Sequence, residues 1–232
     1  MEKVWCQSLE GGAFDLLHPM PEMISWHTVS VVLGRIPRFG GHTLQGTYSV
    51  AQHSVEGARA ILHDHGNRSW AAAFLLHDVH EAYIGDIMTP VSRALQELAI
   101  EEYGCTVGGW IVKSALDELK HRIDRAVYEK AGIELPSGDT AEIIKDYDAR
   151  MAVTERSERL SPPPLPWHPT IENKAPIPDV DLTPWSSELA TSMFRSSLRE
   201  LLPSGRTDID IPAPSDACGC DECAVDYRKV WS

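Results

Sequence analysis

The segment from Ser69 to Ile84, whose body reads WAAAFLLHDVHEAYI, constrains this chain most. It is apolar nearly all round, which predicts one central, buried helix. Yet it carries His77, Asp78, His80 and Glu81 in its second half. Charged groups inside an apolar helix are costly unless they are paired or hold a metal. His77 and Glu81 are four residues apart and share a face, with Asp78 beside them. An adjacent His-Asp pair offers one nitrogen and one oxygen to a divalent ion, so other helices must complete the shell.

The rest of the chain supplies those helices. Short helices are expected over Ser25–Leu33, with Gly34 as a stop, and over Val50–His63, where Ala51, Val55, Ala58 and Leu62 form one stripe. His53 points away from that stripe and shares its face with the small residues Gly57 and Ala60, which permit close approach. Further helices are read from Thr89 to Tyr103, where Pro90 suits a first turn, from Lys113 to Ala131, and from Ser186 to Leu202. The segment GDTAEIIKDYDARMAVTERSERL opens on a capping box, with Asp139 as N-cap and Glu142 three residues on. Asp148 there shares a face with Ile144, Met151 and Ala152. Asp146 shares one with Glu142 and Arg150, a solvated side explained by an ion pair. Periodicity therefore selects Asp148 as the remaining carboxylate. No convincing run of alternating strands is present, and the class is all-α.

The candidate set is His53, His77, Asp78 and Asp148. Two imidazoles and two carboxylates suit one divalent transition metal, Co, Mn, Zn, Fe or Ni, better than a site made only of oxygen. The order H…HD…D resembles the HD-domain metal-dependent phosphohydrolases. RF at Arg38-Phe39, YSVAQHS, HDVHEAYIGDIMTPV and IKDYD are similar to the branch that holds bacterial 5′-deoxynucleotidases. The opening FDLLHPMPEMISWHTVSVVLGRIPRFGGHT looks like the phage-type members, which include deoxynucleotide triphosphohydrolases, one of them acting on dATP. The likeness covers about residues 10 to 158 and leaves out the C-terminal third.

This resemblance implies roles residue by residue. The four residues above fall on the metal ligands. Glu81 falls on the group that handles the attacking water, and Asp86 on a second catalytic carboxylate. Arg38 falls on a phosphate-binding arginine. Phe39 takes the place of a sugar-packing aromatic that is often Trp. Thr89, which opens the TPV motif, is a further substrate contact. The lysine that often follows TPV is replaced by Ser92, with Arg93 next. The implied substrate is a 2′-deoxynucleotide, with the monophosphate leading and the triphosphate as the alternative. A homo-oligomer is expected. A non-catalytic nucleotide-binding module is the competing class, and the intact ligand set and Glu81 argue against it.

Composition narrows the remaining options. The 232 residues carry 21 basic and 34 acidic side chains, a net charge of −13. Such a chain is unsuited to coating a nucleic-acid polymer or an anionic membrane. No apolar run approaches the ~20 residues of a membrane helix, and the N-terminus lacks a signal peptide's apolar region. Five uneven cysteines suggest a reducing compartment. The expected setting is the cytoplasm, bacterial or that of a host. Residues 1–202, with core motifs over 35–158, form one expected unit, and 203–232 an irregular acidic tail. The tail's Cys218, Cys220 and Cys223 are one donor short of a four-ligand zinc site; an interaction protein built on that tail is a further option. His80 is read as a core or surface histidine, and His42 as either a phosphate contact or a loop residue.

Overall fold

The computed structural model describes residues 3–204, and the three tail cysteines lie outside them. The fold is all-α. Its helices are α1 (Trp26–Leu33), α2 (Val50–His65), α3 (Arg68–Leu76), α4 (Glu81–Ile84), α5 (Thr89–Tyr103), α6 (Thr106–Ala131), α7 (Gly138–Arg159), α8 (Pro169–Glu172) and α9 (Ser187–Leu201). Side-chain caps set several starts. Ser25, Ser49 and Ser186 each accept the backbone N–H three residues on, and Asn67 accepts two.

The core forms where α2 and α3 pack on each other and on α9, with α1 and α7 closing the sides. Trp26, Tyr48, Phe74, Tyr147 and Phe194 are fully buried within it. Gly57 permits the closest approach: a Cβ there would meet the Phe74 ring at 2.1 Å. The small-residue face of α2 thus receives the Phe74 ring, and that ring in turn lies against His53, with centroids 5.6 Å apart.

Four expectations need correction. The Ser69–Ile84 segment is not one helix. Between α3 and α4 the backbone tightens to i to i−3 bonds, as in Val79 N to Leu76 O (3.1 Å) and Glu81 N to Asp78 O (3.0 Å). There the His77 ring also binds the Phe74 carbonyl through Nδ1, at 2.6 Å. A β-hairpin is present, in which β1 (Trp5–Gln7) pairs antiparallel with β2 (Ala13–Asp15). Its strands are too short to show a period in sequence. Phe14 anchors it by stacking on Tyr83, 3.7 Å between centroids. Helix α6 starts at Thr106 rather than Lys113, because Gly108 and Gly109 lie inside it. These weak helix formers serve a close crossing: a Cβ on Gly108 would sit 2.4 Å from the Ala99 carbonyl oxygen. Finally, the Asp139 capping box does not form. Ser137 holds the N-cap position without a side-chain bond, and Asp139 sits inside the first turn, where its charge still favours the helix N-terminus.

Candidate metal centre and cleft

Three elements bring the four proposed ligands together. His53 comes from α2, His77 and Asp78 from the tight turn after α3, and Asp148 from α7. The Nε2 atoms of His53 and His77 are 3.4 Å apart. An Asp78 oxygen lies 3.1 Å from His77 Nε2 and 3.8 Å from His53 Nε2. An Asp148 oxygen lies 3.4 Å and 3.9 Å from His53 and His77 respectively. Ligands bound at ~2.1 Å to one ion sit ~3.0–3.4 Å from each other in octahedral or tetrahedral arrangements. These separations bracket that value, so the residues could hold a metal ion.

The outer hydrogen bonds fit the same purpose. His53 Nδ1 lies 2.6 Å from Glu155 Oε1, and His77 Nδ1 2.6 Å from the Phe74 carbonyl. Both partners only accept, so each Nδ1 donates, and in the neutral ring each Nε2 presents its lone pair to the centre. Burial disfavours the Asp78 charge, yet His77 beside it holds the carboxyl below the usual range. Burial likewise opposes charge on His77, and Asp78 and Asp148 raise its pKa despite it. The carboxylates thus draw positive charge to this centre, either as protons on the rings or as a cation held in their place.

Sequence reading missed Glu155, a fully buried carboxylate two turns after Asp148 on α7. Its second oxygen accepts from Arg38, 3.1 Å from Nε and 3.1 Å from a terminal nitrogen. The spacing of seven from Asp148 was the available signal. Arg38 also reaches Asp78 at 3.5 Å. Burial works against the guanidinium charge, but Glu155, Asp78 and Asp148 more than offset it and keep Arg38 ionised.

A cleft of about 1150 Å³ opens beside these groups. Arg38, Phe39, Asp78, Glu81, Asp86, Thr89 and Asp148 all line it, as does His42. Burial, with Asp78 and Asp86 nearby, pushes the Glu81 carboxyl up to about 9. Burial raises Asp86 as well. Two further cations share the wall: Arg93 from α5, which follows Ser92 after the TPV motif, and Lys120 from α6, which the sequence did not single out. His80 is buried and binds Asp124 through Nδ1 at 2.9 Å, and a nitrogen of its ring also lies within 4.8 Å of carboxylate oxygens of Asp78 and Glu81. Asp146 stays outside the centre, paired with Lys174 at 2.6 Å. The far wall is built by the proline-rich segment and Trp167, from the region beyond the motifs.

Comparison with known proteins gives two relatives. One is an uncharacterized protein of Rhodobacter capsulatus, 36% identical over 161 residues, which span 68% of this chain and 72% of the relative. The other is the uncharacterized protein YfdR of Escherichia coli K12, 31% identical over 130 residues, which span 56% of this chain and 58% of that protein. No family model matches the chain.

Proposed function

The chain belongs to the same family as the Rhodobacter capsulatus protein, and for it we propose the activity of an HD-domain, divalent-metal-dependent phosphohydrolase of 2′-deoxynucleotides. The leading reaction is that of a 5′-deoxynucleotidase, which converts a deoxynucleoside monophosphate and water into a deoxynucleoside and phosphate. The observation that carries the reading is the convergence of His53, His77, Asp78 and Asp148 at 3.1–3.9 Å beside Arg38, Glu81 and Asp86 in one cleft.

His53, His77, Asp78 and Asp148 would hold the ion. When bound, a divalent cation supplies Lewis-acid stabilisation of charge on the phosphoryl oxygens. Arg38 binds two of those oxygens through its guanidinium fork, and Glu155 keeps the fork oriented. A water oxygen attacks phosphorus as the P–O5′ bond breaks. One of Glu81 and Asp86 accepts the proton from that water, and the other returns one to the departing O5′. Both carboxylates have pKa values raised by burial, as proton-exchanging groups near neutrality require. Phe39 packs on the sugar, and Thr89 contacts the substrate from the start of α5.

Hydrolysis of a deoxynucleoside triphosphate, dATP first, is the second reading. The cleft exceeds the ~300–1,000 Å³ of ordinary ligand pockets, and Arg93, Lys120 and His42 line it beyond Arg38. Among the described residues no helix is long and apolar enough to cross a membrane. A cytoplasmic setting and a homo-oligomeric state belong to the same proposal.

The experiment is product profiling over all deoxynucleoside mono- and triphosphates with Mn, Co, Ni, Zn and Fe. Orthophosphate release from monophosphates supports the leading reaction, and tripolyphosphate release from triphosphates the second. No release from any pair sinks both.

A further inference from the structure

We propose that Trp167 is the residue that recognises the nucleobase, and that it selects purines. The inference rests on the deoxynucleotide reading above, because it asks what lies beyond the sugar. From the metal centre outward the cleft has an order. Asp78 contacts Arg38 at 3.5 Å, and the Arg38 guanidinium lies 5.4 Å from the neighbouring Phe39 ring. The Phe39 ring is then 6.1 Å from Trp167, tilted by 51°. Phosphate at Arg38 and sugar at Phe39 leave the base to reach the Trp167 end.

Both rings are held in place. Phe39 has φ 56° and ψ 28°, a left-handed conformation that a bulky residue rarely adopts. Trp167 follows a run of prolines whose fixed φ limits the freedom of its chain. Its backbone N–H donates to Glu172 at 2.6 Å, and the same carboxylate oxygen accepts from Arg156 at 2.5 Å. Arg156 also lies 5.2 Å from the Trp167 ring centroid. Since Arg156 belongs to α7, the ring is braced against the helix that carries Asp148 and Glu155.

At 6.1 Å and 51° the two rings form an open V rather than a parallel slot, because a sandwiched base needs ~3.5 Å on each side. The base therefore lies on one face, that of Trp167. Single-face stacking grows with ring overlap, so a bicyclic purine gains more than a pyrimidine. Stacking of this kind corresponds to ~ten- to a hundredfold in binding on removal of the ring.

The test compares wild type, Trp167→Ala and Trp167→Phe on dAMP, dCMP and 2-deoxyribose 5-phosphate, which has no base. The alanine variant should raise KM for dAMP ten- to a hundredfold, raise it less for dCMP, and leave kcat within about twofold. Its kcat/KM on 2-deoxyribose 5-phosphate should match wild type, and phenylalanine should restore most of the dAMP affinity. An equal loss on the base-free substrate, or an unchanged KM for dAMP, overturns the proposal. If wild type turns over none of the three, the nucleotidase reading fails separately. Calorimetric affinities for dAMP and 2-deoxyribose 5-phosphate then decide the role of Trp167 by the same comparison.

Discussion

One carboxylate ties the metal centre to the phosphate-binding arginine: Glu155 binds His53 Nδ1 at 2.6 Å through one oxygen and Arg38 Nε at 3.1 Å through the other. Its own charge survives burial because Arg38 and His53 hold its pKa below the usual value. Glu155→Gln keeps the shape and removes the charge. Metal affinity should fall ~10–100-fold, as for other outer partners of ligating histidines, and substrate KM should rise with it. Glu155→Ala removes the closer partner of Arg38, leaving Asp78 at 3.5 Å, and should cost up to about 3–5 kcal/mol of stability. Metal titration and denaturant unfolding of both variants check this. Wild-type metal affinity in the glutamine variant would remove Glu155 from the site.

The two aspartates of α7 separate by partner rather than by exposure: the Asp148 side chain is 46% exposed and that of Asp146 38%, but only Asp148 faces His53 and His77. Asp148→Ala should abolish metal binding and reduce activity to background. Asp146→Ala loses Lys174 at 2.6 Å and a longer approach to Arg150. Asp146 is partly exposed, so the loss should be at most ~1 kcal/mol with metal content unchanged. Elemental analysis beside an activity assay reads both, and the reverse pattern would exchange their roles.

Purified protein should carry about one transition metal per chain. The argument is the group of His53, His77 and Asp148, which Asp78 joins at 3.1 Å from His77 and 3.8 Å from His53. Exhaustive chelation should abolish turnover, and one equivalent of Mn or Co should restore it. Full activity in chelated, metal-free protein contradicts the mechanism.

What was legible in sequence was local. The α2 stripe, the phase that separates Asp148 from Asp146, and the apolar run before His77 each follow from a period within one helix. Glu155 was hidden because Thr154-Glu155-Arg156-Ser157-Glu158-Arg159 reads as a solvated run. Its burial comes from Arg38, 117 residues earlier. Arg159 is buried for a similar reason, through the carbonyl of Leu44 at 2.6 Å. The tight turn at His77 was also illegible, since the competition for the Phe74 carbonyl depends on how the imidazole points. Trp167 joined the cleft only when the chain folded back past its prolines.

Helices α5 and α6 form an arm that should mediate self-association. Helix α5 buries no residue, while Leu98, Tyr103 and Trp110 are 58%, 73% and 68% exposed. The arm carries six basic residues against seven acidic ones, on a chain with a net charge of −13. This surface is therefore close to neutral, which lowers the repulsion between copies that meet through it. Light scattering should report a dimer or larger species. Trp110→Glu should shift it to monomer with the helical circular dichroism retained. A monomeric wild type removes the expected oligomer.

Phe39 should set the preference for deoxyribose. Its ring lines the cleft next to Arg38, in a left-handed conformation with φ 56°. A ring held against C2′ leaves no room for a hydroxyl, and burying one there without a partner costs ~1–3 kcal/mol. That corresponds to roughly ten- to a hundredfold in kcat/KM. Phenylalanine and alanine both strain at positive φ, so Phe39→Ala removes the ring without relieving the backbone and isolates its contribution. Wild type should prefer dAMP to AMP, or dATP to ATP, by that factor. Phe39→Ala should narrow the gap by admitting ribonucleotides, whereas Arg38→Ala should depress both sugars together by removing the phosphate contact. Matched kcat/KM values for one base in both sugar forms, across the three proteins, decide it. Equal rates for ribo and deoxyribo forms in wild type would end the deoxynucleotide assignment and leave phosphohydrolysis at the metal centre standing.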